Sequence, residues 1–234
     1  LRVSPQLVST ADGTVLWDGA FESGSGDVFS VQDSLTRAVV AALAPALRTA
    51  GTTEATVVRA ASSAQVGRGT RDEEAYELYL KGRYYYHERG SKNVARAIAY
   101  YQQAIARDPT FARAYAGLSF AYEVLPVYDP EPSDSAGPLA QVSAQHAMTV
   151  DSTLADAQLA LAQTLSNQFR YADAEAHYRK AISIDPSDEN THHAFGGMLL
   201  GIGRTDEAIA EFRQATQLDP LAKSSGTSLA EGLI

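Results

Sequence analysis

Cysteine is missing altogether from the 234 residues, so this chain has no disulfide framework, no thiolate metal site and no cysteine nucleophile. The compartment stays open on this ground, because a cysteine-free chain suits the cytoplasm and the periplasm alike. Positive charge is also short: 19 Lys and Arg against 28 Asp and Glu give a formal net charge of −9. Binding along a phosphate backbone rests on clustered Lys and Arg that release counterions, so no nucleic-acid partner is expected. No apolar run approaches the roughly 18 to 20 residues of a membrane span, and no direct membrane contact is expected of these residues. The first residues, Leu1-Arg2-Val3-Ser4, carry neither an initiator Met nor a signal-peptide layout. The chain reads as a piece of a longer polypeptide.

Catalytic constellations are wanting too. The Gly24-Ser25-Gly26 run has neither the spacing of a nucleophile elbow nor that of a phosphate loop, and neither a His-Arg-Asp loop nor an Asp-Phe-Gly triplet occurs. His192 and His193 are adjacent, so they diverge by about 100° on a helix. That makes a poor pair of metal ligands and a solvated or groove-lining pair instead. His87, His146 and His177 fall on different helices with no acidic partner at ligand spacing, and read as surface residues. No enzymatic activity, metal or cofactor is expected of this chain.

What is present is an ordinary globular composition, 45% hydrophobic and 20% charged. Residues 1–23 alternate apolar and polar in two runs, with Asp12-Gly13 between them, a strong hairpin signal because the turn needs positive φ. Pro5 cannot donate a ladder hydrogen bond and should leave that part of the first strand at an edge. An open edge of this kind invites pairing with a second copy. Val31, Leu35, Val39 and Leu43 then follow at four-residue spacing, a helical stripe that Pro45 should end. Residues 49–70 have no clear period and read as a linker. Thr70 with Glu73 has the form of a capping box at a helix start, and only helices are expected beyond it.

Those helices repeat. "VARAIAYYQQAIARDP" (94–109), "GPLAQVSAQHAMTVDS" (137–152), "YADAEAHYRKAISIDP" (171–186) and "TDEAIAEFRQATQLDP" (205–220) are four versions of one segment, and self-similarity is what fixes an architecture first. Ala97 and Ala104, Ala140 and Ala147, Ala174 and Ala181, and Ala208 and Ala215 are each two turns apart on one face, where a methyl admits a close neighbour. Tyr101, Tyr178 or Phe212 follows the first Ala by four residues, although the second copy has Ala144. Asp108-Pro109, Asp185-Pro186 and Asp219-Pro220 end one helix and start the next. The second copy has Asp151-Ser152 there. The partner helices precede them in "AYELYLKGRYYYHE", "ARAYAGLSFAYEVL", "ADAQLALAQTLSNQ" and "ENTHHAFGGMLLGIG".

A helix-turn-helix of 34 residues with this Ala and Pro placement resembles the tetratricopeptide repeat. The resemblance covers about 71–220, with extra residues around 89–93 and within "VLPVYDPEPSDSAGP", whose prolines suggest a stiff surface connection. It implies a mostly α fold: a helix-turn-helix superhelix preceded by a small, incomplete α/β element. The implied layout is a hairpin plus helix at 1–48, a linker at 49–70, four helical pairs at 71–220 and a truncated capping helix at 221–234. The opening "QLV...G..LW" and "DVF.VQD.L..AV" patterns are similar to the last hairpin and helix of the TolB-amino-terminal-like (FlgO-type) domain. That domain precedes such repeats in bacterial Ser/Thr kinases and adenylate cyclases, some of them membrane-anchored.

In the tetratricopeptide family the first helices of the pairs line a concave groove. Carried over by position, the candidate binding residues are Tyr76, Tyr79, Arg83, Tyr86 and His87 in the first repeat, Arg113 and Phe120 in the second, Gln163 and Asn167 in the third, and His193 in the fourth. Tyr and Arg are enriched at interface hot spots. Tyr79, Arg83, Tyr86 and Arg113 either meet a partner or pack against the preceding segment. The implied partner is a protein or peptide, and the implied role is the scaffolding or sensing module of a larger signalling protein. A small-ligand sensor regulating a linked kinase or cyclase is the alternative. A homodimer through the first strand's edge is a further possibility for the assembly.

Overall fold

In a computed structural model, residues 2–8, 13–22, 35, 38–39, 69–129 and 133–219 are described. The chain divides into two compact units, Leu1–Tyr76 and Glu77–Ile234.

In the first unit, β1 (Arg2–Val3) pairs antiparallel with β4 (Phe21–Glu22), and β2 (Gln6–Val8) with β3 (Val15–Asp18). Leu7 faces Trp17, and the register slips between Leu7 and Val8. The two ladders are halves of the expected hairpin, parted at Pro5, whose carbonyl accepts from the Gly19 amide at 3.1 Å. Gly13 takes the positive φ, 74°, expected of the turn. Of the apolar stripe, Leu35 and Val39 are helical, while Val31, Leu43, Pro45, most of the linker and the tail 221–234 lie outside the described residues.

From residue 73 onward the described helices are α1 (Glu73–Glu88), which spans the boundary between the units, and α2 (Ser91–Arg107). They continue as α3 (Ala112–Tyr128), α4 (Ser133–Val150), α5 (Ala155–Asn167), α6 (Tyr171–Ile184), α7 (Glu189–Gly201) and α8 (Thr205–Leu218). The cap of α1 differs from the expected box. Asp72 accepts from the Ala75 amide at 2.8 Å, and Thr70 instead accepts from the Asp72 amide at 3.1 Å. A carboxylate one residue before the helix reaches its third amide directly, which Thr70 is too far back to do.

The inserted stretch also differs from a loop. Helix α3 runs on through Pro126, and α4 contains Pro138. Proline removes one intrahelical hydrogen bond and crowds the carbonyl four residues back, and both prolines lie within six residues of a helix end.

Each of the eight repeat alanines is buried completely. Tyr101, Tyr178 and Phe212 are buried at their centres, and glycines admit two of them. A Cβ at Gly82 or Gly117 would stand 2.7 Å from the Tyr101 ring, and one at Gly196 would stand 2.7 Å from Phe212. Repeat two has no such ring. Ala144 joins Ala116, Ala147, Ala157 and Ala160 in an alanine seam, while a cluster including Leu165, Tyr178, Phe195, Leu199 and Phe212 holds repeats three and four.

Candidate functional site

Helices α3, α5 and α7, the first members of their pairs, touch one another in succession. Their side chains therefore share a face, and two polar links cross it. Arg113 of α3 approaches Asp156 of α5 at 3.7 Å, both of them partly exposed. The Asn167 amide of α5 donates to Glu123 of α3.

Removal from bulk water raises the Asp156 carboxyl above its ordinary range, Arg113 opposes that, Asp188 pushes it higher, and Arg83 again opposes. Burial likewise raises Glu123, against the hydrogen bond from Asn167. Glu189 is raised by burial first and then by Asp188 and Asp219. Toward the later repeats the face carries acids, Asp156, Asp188 and Glu189.

The candidate residues divide by exposure. Tyr76 is buried. Tyr79 is also buried, with its ring 5.0 Å from Phe111 and 5.9 Å from Tyr101, so it packs in the core of the first pair. Arg83 is exposed and lies over the Tyr79 ring at 5.9 Å. Tyr86 is half-buried beneath the Arg89 guanidinium, 4.3 Å from its centre. His87 is exposed, and partial burial followed by Arg83 and Arg89 holds its pKa below the ordinary value. Phe120 and Gln163 are half-buried, and Phe120 packs against both apolar clusters. Asn167 is exposed, and His193 is half-buried 5.7 Å from Phe212.

A second polar arrangement was not anticipated. Gln158 donates to the Ser152 carbonyl at 2.7 Å and meets His177 Nδ1 at 2.7 Å. His192 stands in the same place one repeat later, 3.3 Å from the Pro186 carbonyl and 2.6 Å from Glu211. It is buried, so the expected solvated or groove-lining role does not hold for it. Both bridges join the two helices of a pair to the preceding turn. Burial holds the His177 pKa below its ordinary value.

Among the described residues no three His, Asp or Glu side chains converge as metal ligands would, and no helix is long and apolar enough to cross a membrane. Family models of the tetratricopeptide repeat match residues 155–188 and 190–220. The two matched pairs, α5 with α6 and α7 with α8, thus carry the tetratricopeptide-repeat pattern. The fold is similar to that of TTC0263, a thermophilic tetratricopeptide-repeat protein of Thermus thermophilus, at a TM-score of 0.58 and 21% identity over 86% of this chain and 98% of that one. It is similar also to pilF of Pseudomonas aeruginosa, at a TM-score of 0.53 and 21% identity over 70% and 69% of the two chains. In sequence the chain is 31% identical over 119 residues to putative adenylate cyclase 3 of Rhizobium meliloti (strain 1021), which is 51% of this chain and 19% of that relative. The match thus spans about a fifth of the curated relative's length. A tetratricopeptide fold is a scaffold for protein–protein interaction and is typically non-catalytic.

Proposed function

We propose that the helical stack is a non-enzymatic interaction module whose first-helix face binds an extended peptide or a helix of a protein partner. The observation that carries this reading is the pair of polar links between successive first helices, Arg113 to Asp156 at 3.7 Å and Asn167 to Glu123, with Arg83 and Asp188 of the flanking repeats also acting on the Asp156 charge. A strip of ordered charges and amides recognises a partner by register and sign. The larger role, as scaffold or sensor of a bacterial signalling protein, is supported by the partial match to an adenylate cyclase.

Because Tyr79 is core, the test belongs on exposed positions. A synthetic peptide array probed with the full chain should yield binders, and Arg83→Ala combined with Asn167→Ala should weaken them by about tenfold, a loss of roughly 1.4 kcal/mol, with helical circular dichroism unchanged. An array without binders, or binders indifferent to both substitutions, would remove the groove from consideration.

A further inference from the structure

Between α5 and α6 the chain turns through Phe169 with φ 61°, and between α7 and α8 it turns through Gly203 with φ 81°. The two turns close alike. The Phe169 and Arg170 amides donate to Ser166 and Leu165 at 2.9 and 3.0 Å, and the Gly203 and Arg204 amides donate to Leu200 and Leu199 at 3.0 and 2.9 Å. Glycine is the residue suited to this left-handed end of a helix, and a bulky side chain there is an outlier. The Phe169 ring is moreover 77% exposed, meeting Tyr171 edge-on at 6.1 Å. An exposed aromatic alone calls for no explanation. One that also strains its own backbone is opposed by solvent and by sterics together, the pattern expected of a functional residue.

Beside it opens a cavity of about 330 Å³, with Leu161, Leu165 and Ala176 among its lining and with Gln145, Arg170 and Asp173 at its polar edge. We propose that the Phe169 ring of one copy fills this cavity in a second copy, and reciprocally, in a two-fold dimer. Adjacency permits the exchange: Arg170 lines the cavity and is the neighbour of Phe169, so an axis near that edge relates both rings to both cavities. The volume is ample for one ring, and Leu161 and Leu165 give it an apolar contact. Charge is complementary as well. Arg170 and Asp173 are opposite in sign and more than half exposed, so a two-fold sets each Arg170 against Asp173 of the other copy. Within one chain they already pair, with Nε to Oδ2 at 2.9 Å, and the dimer would close two such pairs into one network.

Sedimentation of the 234-residue chain across micromolar concentrations should show a monomer–dimer equilibrium. Phe169→Gly removes the ring, and Ala176→Trp fills the cavity from an exposed position. Each variant alone should dimerise at least about tenfold more weakly than the parent, while keeping its helical spectrum. Their equimolar mixture should associate more tightly than either alone, because one ring and one cavity remain intact between them. A parent chain that stays monomeric overturns the proposal, even if its cavity takes up a probe such as phenol. So does a dimer indifferent to both substitutions, or a mixture that associates no better than its components.

Discussion

A single methyl decides how closely the helices of a pair can approach. Gly196 lies against Phe212 with no room for a Cβ, whereas Ala162 occupies the corresponding place one repeat earlier, in the same cluster as Tyr178. Gly196→Ala should therefore destabilise the chain by about 1 to 3 kcal/mol through overpacking, despite alanine's better helix propensity, as read from urea unfolding. Phe169 calls for the opposite outcome. Relief of the left-handed backbone outweighs the entropy lost to glycine, so Phe169→Gly should stabilise the monomer by about 0.5 to 1 kcal/mol. Gly203→Ala should cost about 1 kcal/mol in the same assay. At this scale the sequence was only partly legible. The position of Tyr101 followed from its spacing, but whether Tyr79 pointed into the groove or the core depended on Phe111, the residue before α3, which no periodicity joins to it.

The helices themselves were legible because alanines seven residues apart and the Asp-Pro closures mark each second helix. What could not be read was any role carried by different letters in different repeats. Gln158 with His177 and His192 with Glu211 make the same bridge from unlike side chains, so similarity of sequence does not reveal it. The inserted stretch was obscured by Pro126 and Pro138, which read as breakers and sit instead within α3 and α4. Links between elements can be tested by pH. Glu175 of α6 accepts from Arg204, just before α8, at 2.8 Å, and pairs with Arg179 at 2.5 Å. The hydrogen bond from Arg204 is the main reason its carboxyl lies below the ordinary range. A carboxyl depressed in the folded state stabilises above its unfolded pKa and loses that contribution as pH falls through the folded value. Glu175→Gln should therefore cost roughly 1 kcal/mol or less at neutral pH. Thermal melts of the two proteins should converge once acid protonates Glu175 in both states.

Over the whole chain, stacked pairs bury what a single pair cannot, and that necessity is why the repeat was visible at all. Coupling in such a stack passes between neighbours, and here the neighbours are unequal. Repeats three and four share a cluster of large side chains around Tyr178, Phe195 and Phe212, while repeat two meets repeat three through buried Ala116, Ala144, Ala147, Ala157 and Ala160, with larger side chains such as Phe120 and Leu161 only partly buried around them. Alanine contacts bury little area each, so the seam should transmit less stability than the cluster. Phe212→Ala, which empties the centre of the last pair, should cost about 3 to 5 kcal/mol locally. Under native-state hydrogen exchange, amides of α7 and α8 should lose nearly all their protection and those of α5 and α6 part of theirs. Amides of α2, on the far side of the seam, should exchange as in the parent chain. Equal loss of protection in α2 would mean that the stack unfolds as one unit and that the alanine seam couples the repeats as strongly as the aromatic cluster does.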